Sequence, residues 1–495
     1  MSPIAETEAH VLLTSGAALF AAGYIMSSGN LFPLVLPAVY SSATNKNVEA
    51  AKICLRGGML IGQLIFGVVG DLYGRTRAYS LTLMVILAST LFITFLGDGP
   101  GLRITTSLAV MQSLQGVGIG GIYPSAILTV AEYASTNKRP IMLAAIFLLY
   151  ICGSCTALAV EAISAKSDQI DSIWRFVVGL GLIPTVVALG LLRLWKIPEA
   201  NHRHYEGIFL WTKGFVNYLR KNFVTYVAIC GAWFVVDASA YGYRSDIRLS
   251  DINLSRNITD VNGVLPQVAI DDVLRVSCGS LLGALATLIF ISYLPRRVIM
   301  ALGFAASAIL FIAFGYFSGP GVGYITYLTL STVIMFAQNF GPNALTFIVA
   351  AELWCTQYRS TSYGIASACG RLGTIASYTI FRWLTIDADK TFIGPLSLAI
   401  LMVLGLGFTW FLPETRGKDL DVPSRIPAAV HTLALFFDII ARHCLNCSSI
   451  VSADEESRRM FAFIRRFRKL LDVDIKLNVR KRQELNTYFG REKLC

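Results

Sequence analysis

The sequence predicts an all-α polytopic membrane protein. Of its 495 residues 55% are hydrophobic and 15% charged, whereas a soluble chain of ordinary composition carries about 25% charged residues. Its mean hydropathy is +0.60. Apolar runs of about 20 residues, the length a helix needs to cross the hydrocarbon core, recur from one end to the other. A large soluble protein with buried helices does not account for so few charges.

Twelve spans are expected. The first, near 11–33, follows "MSPIAETEAH", which is short, acidic and lacks the basic n-region of a cleavable signal. It is therefore expected to act as its own insertion signal. Spans near 52–70, 79–97, 105–131, 141–161 and 173–195 complete a six-helix N-terminal half, 1–196. A cytoplasmic central loop, 197–221, leads to a C-terminal half, 222–412, with spans near 223–243, 272–294, 298–318, 322–350, 362–384 and 391–412. What remains, 413–495, is a basic tail.

Charge sets the orientation. From Ser457 to Cys495 there are 12 Lys and Arg against 4 Asp and Glu, within a chain whose net charge is +11. Basic flanks mark the cytoplasmic side, so an even number of spans places both termini there. "SRRMFAFIRRFRKLL" alternates apolar and basic residues as an amphipathic helix does. It is expected to lie on anionic lipid rather than on nucleic acid. The sequons at Asn253 and Asn257 share the loop after span seven, which this topology places outside, where glycosylation occurs. A third sequon at Asn446 falls in the tail and is expected to stay bare.

Most of the ten cysteines lie inside spans, where Cys behaves as a small hydrophobe. The pairs Cys152/Cys155 and Cys444/Cys447 lack the further ligands a zinc site requires. No metal or cofactor is expected. Cys444 and Cys447 follow an apolar stretch and suit palmitoylation. An enzyme is not expected either, because there is no P-loop and no Cys/His nucleophile arrangement, and only five His occur.

The two halves echo each other. Span four ends in "AEYASTNKR" and span ten in "AELWCTQYR", so Glu132 and Arg139 match Glu352 and Arg359, each pair seven apart. Both follow a Gly/Pro segment, "GGIYPS" and "FGPNAL". Matched interruptions in corresponding helices point to a transporter built from repeated halves. Between spans two and three lies "GQLIFGVVGDLYGRTR", whose small residues let helices approach closely. Asp71 and Arg75 are four apart there and can pair. Together Asp71, Arg75, Glu132, Arg139, Glu352 and Arg359 are expected to form a cytoplasmic ring of ion pairs, broken and remade cheaply in water as a gate requires.

This pattern resembles the major facilitator superfamily. "GDLYGR" looks like its loop 2–3 motif, and "PETRGKDL" like the sugar-porter ending after span twelve. "GVGIGGIYPS", "WFVVDASAYG" and "NFGPNALTFIVAAELWCTQYRSTSYGIASACGRLG" are similar more narrowly to the eukaryotic phosphate:proton symporters. The resemblance implies two pseudo-symmetric halves that rock around a central substrate site.

Few residues inside the spans are ionisable, and such residues are usually functional. Trp233, Asp237 and Tyr241 recur every four positions and share one face of span seven. Arg371 lies near the middle of span eleven between Gly370 and Gly373. It offers a rigid fork of donors suited to phosphate or carboxylate. Asn343 adds a donor in span ten. In the phosphate symporters, the resemblance implies, a span-seven Trp, Asp and Tyr, a span-ten Asn and a span-eleven Lys surround the substrate. Trp233, Asp237, Tyr241 and Asn343 match, and Arg371 replaces the Lys.

The N-terminal half departs from that family. Span one offers Ser27 and Asn30 in place of two acids, span four reads Gly-Gly-Ile-Tyr-Pro with Tyr123 kept and Ile122 for an Asp, and Tyr150 replaces a span-five Gln. Tyr123 and Tyr150 are candidate substrate contacts, and Asp237 is the remaining proton-coupling carboxylate. Arg56, near an end of span two, either faces the outer cavity or snorkels, as a single Arg there usually does.

The leading reading is a monomeric, multi-pass transporter of a cell-surface membrane. It couples protons to phosphate, a phosphate ester or a larger organic acid. An exporter or facilitator of an apolar metabolite, and a nutrient sensor signalling through its tail, remain as alternatives.

Overall fold

In the computed structural model, residues 3–40, 43–97, 103–165, 170–195, 208–254, 269–317, 324–384 and 393–420 are described. All regular structure among them is helical. The first six spans are Pro3–Ser28, Asn45–Tyr73, Arg75–Thr94, a helix from Ile104 to Tyr133, Arg139–Ser164, and a pair of helices from Ile170 to Leu194. The second six are Phe223–Leu254, a helix running from Ala269 to Phe290, Arg296–Phe317, a broken helix from Tyr324 to Glu352, Arg359–Leu384 and Ile393–Phe411.

Eleven of these are long and apolar enough to cross a membrane. Span eleven, Arg359–Leu384, is the exception because it is rich in hydroxyls and glycine. Ser360, Thr361, Ser362, Ser367, Thr374 and Arg371 are all buried, so its polar groups face protein rather than lipid. Such a helix escapes the cost of polar groups in hydrocarbon by lying inside the bundle.

The packing repeats between the halves. Span one packs on span five, two on four and three on six; correspondingly seven packs on eleven, eight on ten and nine on twelve. Span two meets span eleven across the halves, and span five meets span eight, as a pseudo-twofold axis requires. One glycine pair carries the same symmetry. A Cβ added at Gly153 would strike the Phe20 carbonyl, and one at Gly373 would strike the Phe234 carbonyl. Spans five and eleven thus press their backbones onto spans one and seven at equivalent points, the close approach that small residues permit.

The Gly/Pro segments also correspond. Span four widens into a π turn over Tyr123–Ile127, with Pro124 inside it. Span ten breaks at Gly341, and Pro342 starts its second piece, Pro342–Glu352. At the tight junction of spans two and three, Gly74 takes φ 101°, a conformation that a residue with a Cβ adopts only under strain.

Three details differ from the sequence expectations. Span one stops at Ser28, because the chain turns at Gly29 and Asn30 into a separate short helix, Phe32–Val39. Residues 208–221, expected as loop, form the helix Ile208–Lys221. Its Trp211, Phe215 and Tyr218 lie on one face and pack around Tyr358 in the loop between spans ten and eleven. Span seven continues as helix through Asn253, where a loop was expected. Asn257, Asn446, Cys444, Cys447 and the amphipathic tail lie outside the described residues.

Candidate substrate site and gate

Span seven turns Trp233 and Asp237 toward span eleven, where Gly370 leaves room for both. A Cβ at Gly370 would crowd the Trp233 ring and the Asp237 carboxylate. Into that contact Arg371 places its guanidinium, with Nη2 2.9 Å from Asp237 Oδ2. Both residues are 3% exposed. The Tyr363 ring meets Trp233 edge-on at 5.5 Å. The Tyr123 and Tyr241 rings lie 5.6 and 5.8 Å from the Arg371 guanidinium carbon. Arg371 Nε and Nη1 have no hydrogen-bond partner among the described residues. The fork therefore holds Asp237 with one nitrogen and keeps two in reserve.

Tyr241 also meets Arg56. Its guanidinium carbon is 4.3 Å from the centre of that ring, and Nη1 donates to Tyr241 Oη at 3.3 Å. Weak contacts run to Met26 Sδ at 3.8 Å and Met59 Sδ at 3.7 Å. Arg56 is 7% exposed, so it does not snorkel as a single Arg near a span end usually does. Span two packs on span four and on span eleven. Tyr150 Oη donates to the same Met26 Sδ at 3.6 Å. Phe147 connects Tyr150 to Phe347, and Phe347 meets Tyr123, which makes an aromatic wall.

Asn343 Nδ2 donates one of its two N–H groups to Asn339 Oδ1 at 2.9 Å, within span ten.

The charge balance is uneven. An isolated buried ion retains a penalty of several kcal/mol after relaxation, whereas a cation over an aromatic ring recovers about 0.5–2 kcal/mol. Asp237 compensates Arg371. Tyr241 and two thioethers do not compensate Arg56 fully.

At the end of the bundle carrying the 2–3, 4–5 and 10–11 loops, four of the six predicted gate residues converge. Asp71 accepts from the backbone N–H groups of Ser360 at 3.0 Å and Thr361 at 2.8 Å. It thereby caps the N-terminus of span eleven from the opposite half, where an anion also complements the helix dipole. Arg75 lies 3.6 Å from Asp71, pairs with Glu132 and donates to the Thr356 carbonyl at 3.1 Å. Arg359 completes the knot with Nη1 2.8 Å from Glu132.

Glu352 and Arg139 lie beside this knot and have partners of their own among the described residues. Glu352 faces Arg296 at 3.7 Å, the equivalent in the second half of Arg75 facing Glu132. Arg139 donates to the Ala131 carbonyl at 2.9 Å and the Lys418 carbonyl at 3.3 Å. The pairs are also buried, with Arg359 and Asp71 at 0% and 3% exposed, rather than bathed in water as expected. Sequence reasoning missed Arg296, whose "PRR" setting reads as ordinary basic flanking charge. It also missed Tyr363, although its spacing of eight before Arg371 puts both on one face of a helix.

Twelve helices in two related halves, with a buried ion pair midway and an ionic knot across one end, define a secondary transporter. Residues 50–202 and 253–425 match the family described as sugar (and other) transporter. The chain belongs to that family, within the major facilitator superfamily, and is a multi-pass membrane transporter. It is similar to the repressible high-affinity phosphate permease of Neurospora crassa, at 26% identity covering 85% of this chain and 87% of that one. The inorganic phosphate transporter PHO84 of Saccharomyces cerevisiae is 25% identical over 75% of this chain and 76% of its own. Inorganic phosphate transporter 1-6 of Oryza sativa subsp. japonica is 26% identical over 74% and 80%. Among solved structures, the proton:xylose symporter XylE bound to 6-bromo-6-deoxy-D-glucose superposes with a TM-score of 0.68 at 16% identity, covering 84% of this chain and 98% of that one.

Proposed function

We propose that this transporter moves phosphate, or a closely related oxyanion, together with protons across the plasma membrane. The Arg371–Asp237 ion pair, buried midway through the bundle with two guanidinium nitrogens in reserve, is the observation that carries this reading. The names of its fungal and plant relatives support the substrate. In the empty site Arg371 neutralises Asp237. An arriving anion takes over the fork, and Asp237, deprived of its counter-charge, accepts a proton. Anion and proton then bind with positive coupling, which linkage makes reciprocal. Trp233, Tyr241, Tyr123 and Tyr150 wall the site, and Asn343 enters once its hydrogen bond to Asn339 is released.

The ionic knot of Asp71, Arg75, Glu132 and Arg359, with Glu352–Arg296 and Arg139 beside it, serves as the cytoplasmic gate. Both termini lie on that side, two six-helix halves move around one site, and a single copy of the chain suffices. Residues 1–196 and 222–412 make the halves, and 413–495 forms a tail held by anionic lipid.

A second reading, an organic anion with an apolar part, is favoured by the aromatic wall of Tyr123, Phe147, Tyr150 and Phe347. Uptake of labelled phosphate into proteoliposomes with an acid exterior separates the two. Accumulation abolished by a proton ionophore supports phosphate symport. No uptake from folded protein overturns it and turns the search to organic anions.

A further inference from the structure

We infer that Arg56 is a second anion-binding group, so that the site takes a compact divalent oxyanion held between guanidiniums from opposite halves. The inference rests on the reading that Arg371 and Asp237 form the substrate site. It adds to that site a residue of span two, a span otherwise represented in the mechanism only at the gate.

Three observations carry it. Arg56 and Arg371 both approach the same Tyr241 ring, at 4.3 and 5.8 Å from its centre. Both are buried, and both keep nitrogens without hydrogen-bond partners among the described residues: Nε on Arg56, Nε and Nη1 on Arg371. The hydrogen bonds of Arg56 among the described residues go to a phenol and two thioethers, none of which carries a negative charge at neutral pH. Two guanidiniums beside one carboxylate leave this cluster with one positive charge in excess. Such a cluster is poorly solvated until an anion arrives.

Counting charge then selects the ligand. Once Asp237 is protonated, the two guanidiniums are neutralised by two negative charges and not by one. A planar fork accepts a tetrahedral oxyanion edge by two parallel N–H···O bonds, and each of two forks can take an edge of the same ion. Arg56 belongs to the first half and Arg371 to the second. A bound dianion therefore ties the halves at the level of the site, while a monoanion leaves one fork unanswered.

Calorimetric titration of the purified full-length protein with phosphate, at a pH where phosphate is mainly divalent, tests this beside monovalent methanesulfonate, sulfate and succinate. The wild type is expected to bind phosphate and to ignore methanesulfonate. Arg56→Gln is expected to weaken phosphate binding by about tenfold or more, the effect of losing one charge-assisted hydrogen bond, and Arg56→Lys to restore most of it. Sulfate or succinate binding with the same dependence on Arg56, in the absence of phosphate binding, supports the two-guanidinium site and refutes phosphate as substrate. The inference is overturned if Arg56→Gln binds dianions as the wild type does, or if the wild type binds no dianion. Should Arg56→Gln fail to fold, equal wild-type affinity for methanesulfonate and phosphate overturns it as well.

Discussion

Replacing Asp71 by Ala is expected to loosen the knotted end of the transporter without touching its substrate site. In the wild type the carboxylate accepts two backbone N–H groups, from Ser360 at 3.0 Å and Thr361 at 2.8 Å, across the boundary between the halves. A hydrogen bond to a charged group contributes about 1.5–3 kcal/mol net. At the lower figure the two bonds favour the closed arrangement by about 3 kcal/mol, or about a hundredfold in the opening equilibrium. Hydrogen–deuterium exchange reads this directly, because the affected amides are the ones released on opening. In Asp71→Ala the amides of Ser360 and Thr361 are expected to exchange about a hundredfold faster. Asp71→Asn, which keeps one acceptor oxygen, should fall near tenfold. Unchanged exchange at both amides in Asp71→Ala would refute the reasoning, since the cap would then contribute nothing to closure.

Other outcomes follow from the same contacts. Asp237→Asn is expected to abolish pH-driven accumulation while leaving solute exchange, measured by uptake and counterflow in proteoliposomes. Asp237→Ala strands Arg371, and losing one partner of a buried pair costs about 3–5 kcal/mol. The thermal transition of the purified variant should therefore drop, and Asp237→Ala/Arg371→Met should recover most of it without recovering transport. Gly373→Ala sets a methyl against the Phe234 carbonyl. Loss of uptake from a monodisperse protein is expected as spans seven and eleven separate. Trp211→Ala removes a buried ring stacked on Phe215 and packed on Tyr358, a loss of about 3–5 kcal/mol for a core aromatic. Labelling of the underlying Cys355 by a maleimide, in a background lacking the other cysteines, should rise accordingly.

The spans were legible because an apolar run of membrane length has no competing explanation. Span eleven was legible too, despite its hydroxyls, because Gly370 and Gly373 bracket a charge where an interior helix is the only economical setting. The helix Ile208–Lys221 was not, since a short amphipathic stretch carrying Lys and Arg reads equally well as solvated loop. The pairing of Asp237 with Arg371 was foreseeable from type and depth, as both lie near mid-span. Arg56 stayed open between the cavity and a snorkelling position because linear position fixes depth but not the direction in which a helix faces, and direction decided its burial. The knot of Arg75, Glu132 and Arg359 joins residues more than two hundred positions apart. Sequence supplied its members but not its partition, which left Glu352 to Arg296.

Span eleven holds Ser360 and Thr361 at its N-terminal end and Arg371 in its middle, on one unbroken helix. At 1.5 Å per residue the two levels are about 16 Å apart, and a helix transmits axial displacement without stretching. A slide of about 1 Å by Arg371 would carry both capped amides beyond the reach of Asp71. Span eleven would then act as a piston rod, with no relay of side chains between the two levels. A ligand that immobilised Arg371 would hold the knot shut from about 16 Å away.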